Sequence, residues 1–207
     1  MSNHGESTVA ARNPIGRSFL YFARCVAHPG EAFRLLQSEA SFLPGFFLNA
    51  LKWVLAWFYV FYLYRTNQVY FIPPWLAIPA DSFRFYLLFY YIPYGIVFWI
   101  LVSGVVQTLS LAFRGKGSFT ATLNIVGIMI FTPFVFIDTI DALFMILNGG
   151  NWALIFNSIT RSVMVAWGAA LLAVGLRVIH DLSPAKSIAI SILVSAFSIF
   201  VNVIFVR

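Results

Sequence analysis

Charge is scarce in this sequence. Of its 207 residues, 10% are Asp, Glu, Lys or Arg, while 61% are hydrophobic. Soluble domains carry about 25% charged residues, so a water-soluble core is excluded. Cysteine is nearly absent: a single Cys25 excludes an intrachain disulfide and reads as a small apolar residue. The three histidines, His4, His28 and His180, fall in separate segments. His-Glu-x-x-His, a nucleophile elbow and Cys/His metal spacing are all missing, so no enzyme activity, cofactor or metal is expected. His180-Asp181 is expected to be a solvated pair in a loop. Residues Met1–Arg12 are polar and lack an apolar run, so no cleavable signal peptide is expected. The first span is then its own insertion signal.

What the chain does have is apolar length. Five stretches run over Phe46–Tyr64, Tyr86–Phe113, Ile125–Leu147, Val163–Val178 and Ile188–Val206. Crossing a hydrocarbon core as a helix takes about 20 apolar residues. The fold class is therefore all-α, a polytopic membrane protein with five transmembrane helices. An amphipathic N-terminal helix is expected on its cytoplasmic face. Three segments are expected: residues 1–13 as a disordered tail, 14–45 as an amphipathic, interfacial segment, and 46–207 as the five-helix domain.

The net charge of +6 resembles a nucleic-acid signal until the charges are placed. They sit at the ends of the spans, which points to anionic lipid head groups and not to nucleic acid. Alternation of five spans puts nine of the 13 basic residues on the N-terminal side: Arg12, Arg17, Arg24, Arg34, Lys52, Arg114, Lys116, Arg177 and Lys186. Arg65, Arg84, Arg161 and Arg207 fall on the other. Positive loops mark the cytoplasm, which predicts a bacterial cytoplasmic (inner) membrane protein with its N-terminus inside and its C-terminus outside. Lys52 lies within the first stretch and is expected to snorkel to the cytoplasmic interface.

Within residues 15–40, Phe19, Leu20, Phe22 and Val26 alternate with Arg17 and Arg24, and His28-Pro29-Gly30-Glu31 reads as a helix start. Such a segment suits either the membrane surface or a cap packed on the bundle. Tyr59, Tyr62, Tyr64, Tyr70, Trp75 and the 83–91 run read as an aromatic belt at the outer interface. Pro73, Pro74 and Pro79 keep the intervening loop from continuing as helix.

The spans are not uniform. Ser103, Gln107, Ser110 and Arg114 share one helix face, as do Ser187, Ser191, Ser195, Ser198 and Asn202. The fourth span instead carries Ala166, Gly168, Ala169, Ala170, Ala173 and Gly175. Small and hydroxyl residues let membrane helices approach and bond; a polar groove is the alternative. Asp138 and Asp141 stand one turn apart in the third span, and ionisable groups at membrane depth are functional candidates. They can equally reach water or pair with Arg161, Arg65 or Arg84. Pro133 should kink that span and free a carbonyl one turn earlier. The candidate intramembrane polar site is therefore Asp138, Asp141, Gln107, Ser103 and Pro133. The loop Arg114-Gly115-Lys116-Gly117-Ser118-Phe119 is not a Walker A. Gly117 and Ser118 suit a turn and a helix cap.

These residues together resemble the Yip1 domain family of five-span membrane proteins, over about residues 18–205. His28-Pro29-Gly30-Glu31-Ala32-Phe33 is similar to the family's Pro-x-x-Phe segment. Gly115, Gly117 and Phe119 match its Gly-x-Gly-x-Phe loop, a candidate cytoplasmic motif. Pro133, Trp167 and Gly175 also fit. The resemblance implies five helices and a cytoplasmic N-terminus. Eukaryotic members act in Golgi and endoplasmic reticulum trafficking through Rab GTPases and related Yip1 proteins. The Asp-Leu-Tyr-Gly-Pro motif of those members is absent here, and the chain looks more like prokaryotic members. The expected role is a non-enzymatic scaffold that organises membrane or partner proteins, as a homo- or hetero-oligomer through its membrane helices. The alternative is a small transporter or lipid-handling protein with a polar cavity around Asp138, Asp141 and Gln107.

Overall fold

The computed structural model describes residues 13–66, 79–147 and 154–205. Tyr70, Pro73, Pro74, Trp75, most of the expected tail and Arg207 lie outside them. Among the described residues there are seven helices and no strand: α1 (Pro14–Ala27), α2 (Pro29–Gln37), α3 (Leu43–Arg65), α4 (Ala80–Ala112), α5 (Phe119–Leu147), α6 (Leu154–Ile179) and α7 (Pro184–Phe205). The last five each hold an apolar span long enough to cross a membrane. At about 1.5 Å per residue the shortest is roughly 33 Å long, sufficient for the hydrocarbon layer. Five membrane-spanning helices are thus as expected, and the protein is an integral membrane protein.

Several boundaries differ from the sequence expectation: α4 starts at Ala80 and not Tyr86, and α5 at Phe119 and not Ile125. The helix start at Pro29 is as the sequence suggested. The N-terminal segment is two helices, because Pro29 starts a new one. Its N1 position needs no N–H, and Glu31 follows in the first turn. The fourth span starts before Val163. Its helix begins at Leu154 and its apolar window at Ser158, so Arg161 is inside a span and not in a loop.

The helix ends are satisfied locally. The Asn13 side chain accepts the Gly16 N–H at 2.7 Å to open α1. Ser118 accepts the Ala121 N–H at 3.2 Å to open α5, as the sequence suggested. At the end of α4, Gly115 donates to Ser110 O and Arg114 to Leu111 O. This paired pattern is a Schellman closure, with Arg114 in the left-handed region at φ 67°.

Helix α5 is the centre of the bundle. It packs against α1, α2, α3, α4 and α6, and 67% of its span is buried, against 17% for α7. The closest approach is between α3 and α5. A Cβ on Gly127 would lie 2.6 Å from the Gly45 carbonyl carbon, so only hydrogen fits there. The Asn124 side chain then accepts the Gly45 N–H at 2.8 Å and donates to Ser41 O at 2.9 Å. One residue of α5 therefore caps the start of α3, whose own N-cap residue, Phe42, supplies no side-chain bond. On the other flank Gly175 meets Ile125, and Gly168 lies against Met129 O and Pro133. The small residues of α6 thus admit α5, and the carbonyl freed by Pro133 faces that contact. Helix α7 lies along α4, where Tyr94 donates to Asn202 Oδ1 and Tyr90 to Phe205 O.

The hairpin α1–α2 packs on the bundle. It buries Ser18, Tyr21 and Cys25 from α1 and Ala32, Phe33 and Leu36 from α2. Phe22 meets Phe131 and Phe136 of α5. Arg17 and Tyr21 both bind the Glu39 carboxylate, at 2.9 and 3.0 Å, which closes the hairpin. Burial, with Glu39 beside it, pushes the Tyr21 hydroxyl up to about 12. Burial likewise pushes the Cys25 thiol up to about 12, so it is not a reactive thiolate.

Gly127→Ala should cost about 1–3 kcal/mol, because α3 must move off α5. Gly104→Ala, where nothing lies within 4 Å of the added carbon, should be neutral or slightly stabilising. Thermal unfolding of both variants in nanodiscs checks this.

Candidate functional site

The register set at Gly45 and Gly127 determines what faces what deeper in the bundle. Helices α3 and α5 run in the same direction, so seven residues beyond Gly45 the chain stands beside the Phe131–Phe134 stretch. That residue is Lys52. Its ammonium lies 3.0 Å from the centroid of the Trp53 ring and 5.3 Å from that of Phe134, a cation–π arrangement. It is within electrostatic reach of Asp138 and Arg161. The expectation that Lys52 snorkels to the interface is therefore corrected. The stem points into the bundle because aromatic faces and a carboxylate await it there.

Arg161 of α6 is the partner of both aspartates. Its Nη1 binds Asp138 Oδ1, and its Nη2 stands 3.3 Å from Asp141 Oδ2. The two acids, one turn apart on α5, present their oxygens to the two arms of one guanidinium. The Asp141 side chain is 3% exposed, that of Asp138 24%. Two basic and two acidic side chains meet between α3, α5 and α6, so their formal charges balance. That balance is what makes the group tolerable at membrane depth.

The remaining members of the sequence candidate lie elsewhere. Gln107 is near the end of α4, where its amide nitrogen donates to Gly117 O at 3.1 Å. Asp138 is 19 residues along α5 from Phe119, roughly 28 Å by helical rise. The proposed grouping of Gln107 with Asp138 and Asp141 is therefore corrected: they occupy opposite ends of the bundle. Ser103 donates to Trp99 O on its own helix at 2.7 Å, and Ser191 likewise to Ser187 O at 2.8 Å. These hydroxyls bond back to their own helices and leave smooth faces for packing. Pro133 sits in the α5–α6 contact described above.

Gln107 belongs to a second polar centre, organised by His180. That ring closes α6, has no exposed surface and is not solvated, which corrects the expectation for His180-Asp181. Burial holds its pKa below the ordinary 6.5. The Gly117 N–H donates to Nδ1 at 3.2 Å. The ring proton is therefore on Nε2, which donates to Thr122 Oγ1 at 2.9 Å. Thr122 passes its hydroxyl proton to Gln107 Oε1 at 2.6 Å, and Gln107 returns to Gly117 O. The circuit closes on itself. Lys116 N–H adds a bond to His180 O at 3.1 Å, and Lys116 pairs with the exposed Asp181 at 3.1 Å. A Cβ on Gly115 would stand 3.0 Å from His180 Cβ, and one on Gly117 would stand 2.8 Å from the ring. The two glycines of the Gly-x-Gly-x-Phe loop are thus the seat of this histidine. Phe119 starts α5 and is exposed.

Sequence reasoning missed Lys52 and Arg161 as inward-facing residues and Thr122 altogether, and it read His180 as solvated. For Arg161 a signal existed: apolar Leu154–Phe156 precede it, so the helix need not begin at Val163.

Arg161→Met leaves two carboxylates without their cation and should cost about 3–5 kcal/mol. Adding Asp138→Asn and Asp141→Asn should recover a large part of that loss. Denaturation of the four proteins (wild type, Arg161→Met, the double and the triple variant) in one lipid composition measures the coupling.

Among curated proteins and solved structures, none matches this chain. The family model for the Yip1 domain matches residues 23–205, which spans both polar centres and all five membrane helices. The chain belongs to the Yip1 domain family.

Proposed function

We propose that this protein is a non-enzymatic membrane scaffold that organises membrane or partner proteins as a homo- or hetero-oligomer. One observation carries the reading: the charged groups that α3, α5 and α6 bring to membrane depth are matched to one another, Arg161 with Asp138 and Asp141, and Lys52 beside them. The polar chemistry inside the spans holds helices together. What the molecule offers its surroundings is apolar surface, most of all on α7, where Ile188, Ile192, Leu193 and Phe200 point outward. The transport alternative rests on Asp138, Asp141, Gln107 and the serine stripe, and the distance between Gln107 and the two aspartates favours the scaffold over it.

The orientation in this reading is N-terminus in the cytoplasm and C-terminus outside, in a bacterial inner membrane. Once Lys52 and Arg161 are withdrawn from the loops, eight basic residues stand on the N-terminal side and three on the other, so the asymmetry persists. Arg114, Lys116, Arg177 and Lys186 are exposed at that end and suit contact with anionic head groups.

The test is native mass spectrometry of the full chain released from lipid nanodiscs, with pull-down from the same membranes. A defined oligomer or a retained partner is expected. A strict monomer that retains nothing overturns the scaffold reading. Ion or lipid movement in proteoliposomes above that of protein-free vesicles would favour transport.

A further inference from the structure

The circuit around His180 joins two links that are far apart in sequence, 113–118 between α4 and α5, and 180–183 between α6 and α7. Each of its four groups donates once and accepts once within it. The ring can do so only while neutral, because Nδ1 must be an acceptor. A proton on Nδ1 would turn that nitrogen toward the Gly117 N–H as a second donor, inside a site with no exposed surface. We propose that His180 is a proton-sensitive clasp: its neutral ring pins the Gly-x-Gly-x-Phe loop to the end of α6, and protonation releases that loop.

The surrounding charges do not offset the effect. Lys116 and Arg114 are exposed on the loop, and Arg177 stands one turn earlier on α6. Lys186 of α7 donates to Phe113 O, at the start of the same loop. Asp181 is the neighbouring anion, and it is held by Lys116 on the exposed side. Gln107 of α4 and Thr122 of α5 carry no charge. On α2, which packs against α6, Glu31 and Arg34 are both exposed. These charges lie at the exposed rim, and burial is what opposes a further proton on the ring.

A histidine whose pKa is lowered on folding leaves stability unchanged above its ordinary value of 6.5. Stability then falls as the pH drops below that value toward the folded one. The inference is independent of the scaffold reading and concerns the joint itself.

The experiment uses the full chain in nanodiscs, with ¹⁵N-labelled histidine and hydrogen exchange of the 113–118 peptide, corrected for the intrinsic effect of pH. At pH 7.5 the His180 signal should report Nε2 protonation, and the amides of Lys116 and Gly117 should be protected. On acidification, exchange at those amides should rise at least ten-fold in step with His180 protonation. That transition should lie below the ordinary histidine value of 6.5. His180→Gln, which keeps an acceptor but does not titrate, should remove the pH dependence, and Asp181→Asn should retain it. Protection that is constant down to pH 4.5 overturns the proposal, as does a ring protonated on Nδ1 at neutral pH. Loss of the response in Asp181→Asn would assign the sensor to that carboxylate and overturn it equally. Should His180→Gln fail to fold, the wild-type titration and Asp181→Asn still decide.

Discussion

The contact of Gly45 with Gly127 sets the register on which the rest of the bundle depends. Two backbones meet there without side chains between them, and Asn124 locks the contact by capping α3. In water such a cap would be one of many ways to satisfy a helix end. In hydrocarbon a free N–H costs several kcal/mol, so the choice of partner becomes a choice of depth. With Gly45 fixed beside Asn124, Lys52 reaches Phe134 and points toward Asp138. Trp53 covers Gly95 of α4, and its indole N–H donates to Asn49 at 3.1 Å. A shift of one residue along α3 would rotate all of these by about 100°.

The two polar centres solve different problems. At membrane depth the difficulty is electrostatic, and the solution is pairing between formal charges on separate helices. At the other centre the difficulty is directional. Loop amides and carbonyls near the membrane surface need defined partners if the links between spans are to hold one shape. A neutral imidazole is suited to that task because it donates and accepts at once, on opposite edges of one rigid plane. Glycine completes the arrangement by letting the backbone lie flat on the ring.

The sequence revealed the five spans because apolar length is a one-dimensional property. Pro29 and Ser118 also announced their helix starts, since capping acts within a few residues. The aspartates stood out as costly residues, and Arg161 was among their possible partners. What could not be read was rotation and depth. Lys52 gives the same sequence signal whether it snorkels outward or faces a ring on its own helix. Gln107 and Asp138 looked like members of one site because both are polar and within spans, yet antiparallel α4 and α5 carry them to opposite ends. His180 was hidden for a further reason: the partners of its ring lie 58 and 63 residues away, and neither is ionisable.

The order of the ion partners along the chain has a meaning for biogenesis. Synthesis runs from the N-terminus, so the helix with Asp138 and Asp141 is made before the helix with Arg161. During that interval the only cation of the group already made is Lys52. Its place over Trp53, within electrostatic reach of Asp138, suits a counter-charge for the interval before the guanidinium arrives. The chain thus brings its two membrane-depth acids into the bilayer with one of their two counter-charges already made and the other still to be translated.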